Sequence, residues 1–187
     1  LALVLSDLCE LANRLPNYIG FYNGVGAGAS IPNHCHFQFF QRIPDLPQFP
    51  LEERGYSDID LDTATTFVTD YPIRVFRWMG ELSEVVARAT AWITDFVKTS
   101  KFERQQLTAN FIATSSTNSE TITLYFVPRH RLKQFWNGNA GIVGGLEILG
   151  EIVLASDEEC DLVKQDIMNF EFIERALSRI SMPFSNH

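Results

Sequence analysis

The sequence predicts an α+β protein with an antiparallel sheet, and three observations indicate this class. Residues 1–15 and 81–98 place apolar side chains at helical spacing. Residues 106–115 and 120–128 are strand-like and are joined by the polar residues 116–119, which is typical of a hairpin. The predicted order of elements is α-β-β-β-α-β-β-α, which indicates helices packed on an antiparallel sheet.

The elements of the first half follow from local patterns. The first helix carries leucines as far as Leu15 and stops at Pro16, which cannot continue a helix. Residues 17–23 and 33–43 are rich in Phe, Tyr and Ile, as strands are. Residues 44–72 are acidic and hold four of the eight prolines, so they predict a long irregular segment. A segment of that length is typical of a functional flap rather than a connector.

The second half is predicted by the same criteria. Residues 73–79 alternate as a strand does, and Gly80 separates them from the second helix. Residues 146–154 form an apolar stretch that contains two glutamates. The acidic residues 157–159 resemble a helix start, and residues 158–180 predict one or two helices.

Composition and charge exclude several classes of function. A chain of 187 residues, 45% of them hydrophobic, builds one sizeable core, so we expect a single domain over residues 1–187. The formal net charge of −8 argues against binding to nucleic acid or to an anionic membrane, although a small phosphorylated ligand is compatible with it. Cys9, Cys35 and Cys160 form no CxxC pair, and no apolar run is long enough for a membrane span. A cytoplasmic location is the default expectation.

The residues that point to chemistry lie in the segment GAGASIPNHCHFQFF, residues 26–40. His34, His36 and Gln38 occupy every second position, so in an extended strand they would project from one face. Two imidazoles and a carboxamide in a row make a poor core. The small residues ahead of them form a loop whose backbone amides can approach phosphate oxygens closely. The pattern favours a site that handles a phosphoryl group.

Two kinds of chemistry fit this pair of histidines. An HxH strand is a common pair of ligands for zinc, iron or manganese, but a cupin-like barrel would need a nearby carboxylate and a third histidine. Phe39, Phe40, Gln41 and Arg42 follow instead. The other chemistry is phosphoryl transfer, in which a neutral imidazole attacks the α-phosphorus of a nucleotide. That reaction needs a group that fixes the imidazole tautomer and donors that hold the phosphate oxygens.

The segment from Asn23-Gly24 to Gln38 resembles the signature of the histidine-triad superfamily. Hydrolases of that superfamily carry three alternating histidines, whereas this chain has glutamine in the third place. Glutamine there is typical of the transferase and phosphorylase branch, which includes galactose-1-phosphate uridylyltransferase, diadenosine tetraphosphate phosphorylase and the GDP-hexose phosphorylases. Later segments similar to that branch are 71–76, 125–129 and 144–154. The resemblance touches most of residues 1–165.

The resemblance implies a role for each residue of the row. His36 occupies the position of the nucleophile, and His34 is expected to support the geometry of the site. In some relatives the residue at the position of His34 also binds a metal. Gln38 is placed to donate to the phosphate of the intermediate. A carboxamide can hold an oxyanion but cannot titrate, which fits a transferase.

The resemblance also implies contacts with the substrate. Asn23, Gly28 and Ser30 would lie near the ribose and the phosphates, and Arg129 is the best candidate for a further phosphate contact. Each has a structural alternative, because Asn-Gly is common in turns and the basic residues 129–131 could be an ordinary solvated stretch. In the superfamily, strands that help to bind the base precede the first helix. Because this chain begins in that helix, we expect it to lack those strands: it is a fragment or processed chain, or a different chain supplies them, or this protein has lost them.

These observations predict a nucleotidyltransferase or phosphorylase. The substrate would be a nucleoside diphosphate sugar or a dinucleoside polyphosphate, and the acceptor inorganic phosphate or a sugar phosphate. We expect that no cofactor is required, although a divalent metal is possible. A homodimer is possible as well, because members of the superfamily often dimerise. Two alternatives stay open, namely hydrolysis with water as the acceptor and a non-catalytic nucleotide- or metal-binding protein.

Overall fold

A seven-stranded antiparallel sheet organises the computed structural model, which describes residues 1–29, 31, 34–43, 48–100, 106–115, 121–131, 135–137 and 140–182. The helices are α1 (Ala2–Arg14), α2 (Leu82–Thr99), α3 (Gly145–Leu149), α4 (Asp157–Lys164) and α5 (Phe170–Ile180). The strands are β1 (Tyr18–Asn23), β2 (Gln38–Gln41), β3 (Tyr56–Asp60), β4 (Thr65–Val68), β5 (Phe76–Gly80), β6 (Leu107–Ser115), β7 (Ile122–His130), β8 (Phe135–Asn137) and β9 (Ala140–Ile142). The predicted α+β class is confirmed.

The strands lie in the order β2-β1-β6-β7-β5-β4-β3, and every neighbouring pair is antiparallel. Strands β8 and β9 form a separate two-stranded sheet. The long β6–β7 pair occupies the centre, and β2 and β3 are the two edges. None of the helices in the described part of the chain is long and apolar enough to cross a membrane.

Each face of the sheet is covered by a different set of helices. Helices α1 and α2 pack on the face that carries Phe111 and Phe126. Helices α3 and α5 pack on the opposite face, which carries Ile112 and Tyr125. Because side chains alternate along a strand, Asn110 and Arg129 share this second face with Ile112 and Tyr125. The second face therefore carries polar residues at one end of an apolar core.

The periodic segments fold as predicted. Helix α1 ends at Arg14, two residues before Pro16, and α2 begins after Glu81. The Glu81 carboxylate accepts the backbone N–H groups of Ser83 and Glu84, which satisfies two of the free donors at the start of a helix. Strands β6 and β7 pair over nine positions, from Leu107 with His130 to Ser115 with Ile122. The region 158–180 contains two helices, α4 and α5.

The prediction of an irregular flap over residues 44–72 is wrong for residues 56–68, whereas residues 48–55 and 69–72 contain no helix or strand. Strands β3 and β4 form a hairpin there, and β4 pairs with β5 through Phe67 and Phe76. The pattern hides this hairpin because β3 is an edge strand whose side chains are mostly exposed, so it lacks the alternation of a half-buried strand. Residues 44–47 lie outside the described part of the chain.

The predicted strand over residues 33–43 is also shorter in the structure. Only Gln38–Gln41 forms β2, and its pairing with β1 begins at Gln38 opposite Phe21. Residues 34–37 precede the strand and run beyond this first pair. The alternating histidines therefore lie just before β2 rather than within it.

A buried hydrogen bond should contribute measurably to the stability of the sheet. Trp78 Nε1 donates to Thr65 Oγ1 over 2.8 Å, and both side chains are almost completely buried. Replacing Thr65→Val keeps the shape but leaves the indole N–H without its acceptor, so the free energy of unfolding should fall by about 1–3 kcal/mol. Thr65→Ser keeps the acceptor and should lose less. Urea unfolding of both variants checks this, and equal losses would contradict it.

Candidate functional site

The candidate site lies where β1 ends and β2 begins. Asn23 is the last residue of β1 and pairs with Asn110 of β6, while Gln38 opens β2 opposite Phe21. Directly opposed residues of an antiparallel pair project from the same face, so Asn23, Gln38 and Asn110 share one face. Three carboxamides therefore meet at one end of the sheet, beyond the apolar core.

The two histidines lie side by side just before Gln38. The ring centroids of His34 and His36 are 5.9 Å apart and the planes are inclined by 22°. The Nδ1 atom of His36 lies 3.2 Å from the carbonyl oxygen of His34. A carbonyl oxygen can only accept, so this hydrogen bond places the proton of the neutral ring on Nδ1. The lone pair of the ring is then on Nε2.

Asn23 links this row to the rest of the site. Its Oδ1 accepts from the backbone N–H of Gly145 over 3.0 Å and from Asn110 Nδ2 over 2.7 Å. Its Nδ2 donates to Gln38 Oε1 over 3.1 Å. A backbone N–H is always a donor, so the Gly145 contact decides which end of the Asn23 amide is oxygen. Gln38 consequently uses its oxygen toward Asn23, and its Nε2 has no acceptor among the described residues.

Arg129 supports this arrangement from the interior. Its side chain is completely buried, and its Nη1 donates to Asn110 Oδ1 over 3.0 Å and to the carbonyl oxygen of Val143. Asn110 in turn donates from Nδ2 to the carbonyl oxygen of Ala27 over 2.8 Å. Burial lowers the pKa of Arg129 to about 10, so the guanidinium is charged at neutral pH.

Glu147 is the acidic group whose charge acts on Arg129. It is buried in α3, and its Oε2 accepts from the backbone N–H of Gly144 over 2.7 Å. Burial raises the pKa of the Glu147 carboxyl, while hydrogen bonds from the backbone and the charge of Arg129 act in the opposite direction. The carboxylate holds the turn that presents the Gly145 N–H to Asn23.

The glycine-rich loop after β1 packs against the same turn. Gly28 has a φ of +90°, and a Cβ atom there would lie 2.6 Å from the Cα of Gly144. Only glycine combines this conformation with so close an approach. The Gly24 N–H donates to the carbonyl oxygen of Ala109 over 3.0 Å, which anchors the start of the loop on β6. The loop is therefore held by backbone contacts from two sides.

The structure brings most of the predicted site residues together. His34 and His36 lie beside each other, Gln38 bonds Asn23, and Gly28 packs on Gly144 next to the Asn23 amide. Ser30 lies outside the described residues. Arg129 lies behind Asn110 rather than on a solvated basic stretch. Among the described residues, no group of three or more His, Cys, Asp or Glu side chains could hold a metal ion.

Sequence reasoning missed Asn110 and the N–H of Gly145. Asn110 could have been found from strand alternation, because it lies two residues before the core residue Ile112 and so on the same face of β6. A buried polar residue in that phase needs a hydrogen-bonding partner. No comparable signal marks the Gly145 N–H, since a backbone contact over 122 residues leaves no pattern in the chain.

Residues 1–41 match the model of a protein family described as a domain of unknown function (DUF4922). The matched segment includes α1, β1, the glycine-rich loop and both histidines, and it ends with β2 at Gln41. It covers 41 of the 187 residues. No curated protein and no solved structure matches the chain. The similarity therefore coincides with the segment that carries the histidine row and gives it no activity.

The buried carboxyl of Glu147 should make the stability depend on pH. Because its pKa is raised in the folded state, the folded chain binds more protons than the unfolded chain above the ordinary value of 4.5. Its contribution to the free energy of unfolding should fall as pH rises above 4.5. Glu147→Gln keeps an oxygen for the Gly144 N–H and removes this fall.

Urea unfolding at several pH values checks this, with the exposed Glu53→Gln as the matched control. The stability of Glu147→Gln relative to the native chain should increase with pH, while that of Glu53→Gln should stay level. A relative stability of Glu147→Gln that decreases with pH would contradict the expected direction.

Proposed function

We propose that the chain catalyses nucleotidyl transfer through a covalent nucleotidyl-histidine at His36, as the transferase and phosphorylase branch of the histidine-triad superfamily does. The observation that carries this proposal is the contact between His36 Nδ1 and the His34 carbonyl oxygen. In the neutral ring it leaves the Nε2 lone pair for attack on phosphorus. The half-buried ring is still reachable by a substrate.

The reaction has two displacements at one phosphorus atom. In the first, His36 Nε2 attacks the α-phosphorus of a nucleoside diphosphate sugar or a dinucleoside polyphosphate. A P–N bond forms, and the P–O bond to the distal phosphate breaks with its electron pair. In the second, an oxygen of inorganic phosphate or of a sugar phosphate attacks the same phosphorus, and the P–N bond breaks. The His34 carbonyl stabilises the positive charge that the ring carries between the two steps.

Gln38 supports transfer from a phosphoric anhydride in particular. Its oxygen bonds Asn23, so its Nε2 is the end that can donate to a non-bridging phosphate oxygen. It has no proton that it can give up at neutral pH. The leaving group must therefore be stable as an anion, which a phosphate is and an amine is not. This argument favours the proposed substrates over phosphoramidates.

Intact mass measurement under native reaction conditions tests the proposal. The chain is incubated with GDP-glucose, UDP-glucose or diadenosine tetraphosphate and quenched in denaturant without acid, because phosphoramidates are labile in acid. A gain of one nucleoside monophosphate is expected with at least one donor and should be absent in His36→Ala. Turnover by His36→Ala should fall by at least about 10³-fold.

The neighbouring Cys35→Ala is the matched control, since Cys35 is an exposed nucleophile beside the proposed one. It should keep the adduct, and inorganic phosphate or a sugar phosphate should discharge it to a nucleotide product. An adduct that survives in His36→Ala would contradict the proposal. Discharge by water at the same rate without an acceptor would instead identify a hydrolase, and binding without adduct or product a non-catalytic nucleotide-binding protein.

A further inference from the structure

The side chain of Asn23 is committed to other protein groups. Both lone pairs of its Oδ1 are used, by Asn110 Nδ2 and by the Gly145 N–H. Its Nδ2 donates to Gln38 Oε1. An asparagine that accepted from a ribose hydroxyl would need a free lone pair on its side-chain oxygen, and Asn23 has none left.

The hydrogen bonds between the buried cation and Gln38 all run in one direction. Arg129 can only donate, so the atom of Asn110 that faces it is oxygen and the other end of that amide is a donor. Asn110 then donates to Asn23, and Asn23 donates to Gln38. The carbonyl of Ala27 and the N–H of Gly145 impose the same orientation on Asn110 and Asn23 independently. We call Arg129, Asn110, Asn23 and Gln38 the amide chain.

The unfavourable burial of Arg129 supports the view that its charge serves to orient the amide chain. Its Nε and Nη2 are buried and have no hydrogen-bonding partner among the residues that the structure describes. Burying an N–H group without a hydrogen-bonding partner destabilises the folded state. The only side chain among the described residues that accepts from the guanidinium is Asn110. Burial of this charged side chain therefore lowers the stability of the fold. Its contact with Asn110 fixes the orientation of the Asn110 amide.

We infer that Asn23 is a positioning residue that makes Gln38 present its N–H groups to the substrate, with Arg129 and Asn110 holding Asn23 in that orientation. This inference rests on the proposed function for the identity of the substrate group that Gln38 meets. The end of a glutamine side chain has two nearly equivalent orientations that differ by half a turn. One places a donor against a phosphate oxygen, and the other places an oxygen there and repels it. The amide chain selects the donor.

The substitution Asn23→Asp reverses the last link without changing its shape. A carboxylate still accepts from Asn110 and Gly145, but it also accepts where Asn23 donates. Gln38 must then turn, donate its own N–H to residue 23 and direct its oxygen outward. Asn17→Asp adds the same charge at the exposed residue just before β1, away from the Asn23 end of the strand, and is the matched control.

Hydrogen exchange of the side-chain amides, followed by nitrogen-15 NMR on the intact chain, tests the inference without any substrate. In the native chain the Gln38 amide protons should exchange at the rate of a free amide, whereas those of Asn110 should be protected. In Asn23→Asp the exchange of one Gln38 amide proton should slow at least tenfold, and in Asn17→Asp it should not. Gln38 protons that are protected in the native chain, or unchanged in Asn23→Asp, would overturn the inference.

Kinetics supply a second readout. Asn23→Asp and Gln38→Ala should each lower kcat by about 10²-fold with little change in KM, because one oxyanion donor is lost in both. The double variant should be no slower than either, since both changes remove the same interaction. A direct ribose contact predicts a raised KM and multiplied effects, and that result would overturn the inference. If no donor is turned over, the proposed function fails, and the exchange measurement still decides the role of Asn23.

Discussion

The cross-strand pair of Asn23 and Asn110 is the constraint on which the rest of the site depends. Their side chains meet between β1 and β6, at the point where the apolar core of the sheet gives way to polar groups. On the inner side the pair is held by the charge of Arg129, and on the outer side it holds Gln38. Because an amide has one accepting and one donating end, each contact restricts the next. An interior charge thereby determines what an exposed side chain presents.

The elements that the sequence predicted are those whose own periodicity is strong. Helix α2 buries Val85, Ala89 and Ile93 at helical spacing, and the β6–β7 pair is a simple hairpin, so local patterns suffice for both. The histidine row was recognisable from spacing and from its resemblance to the histidine-triad signature. The edge strand β3 was not predicted because its residues are mostly exposed and do not alternate between apolar and polar. Residues 34–37 were wrongly predicted as strand because their composition is strand-like although the pairing with β1 begins only at Gln38.

The remaining features depend on contacts between distant parts of the chain. Arg129 lies in a basic run that is typical of a solvated surface, yet its phase on β7 directs it into the core with Tyr125 and Val127. Its partner Asn110 is 19 residues away, and Asn23 lies a further 87 residues before Asn110. Strand register brings these residues together, and register is a property of the folded sheet rather than of any local segment.

The proposed chemistry requires the proton of the neutral His36 ring to be on Nδ1. Nitrogen-15 NMR of the imidazole nitrogens measures directly which nitrogen carries it. In the neutral ring, the free chain should show Nδ1 as the protonated nitrogen and Nε2 as the unprotonated one. Substitution of the residue that supplies the carbonyl does not disturb this, so His34→Ala should show the same tautomer. A ring that is protonated on Nε2 would contradict the arrangement, because its lone pair would then face the backbone of His34 rather than a substrate.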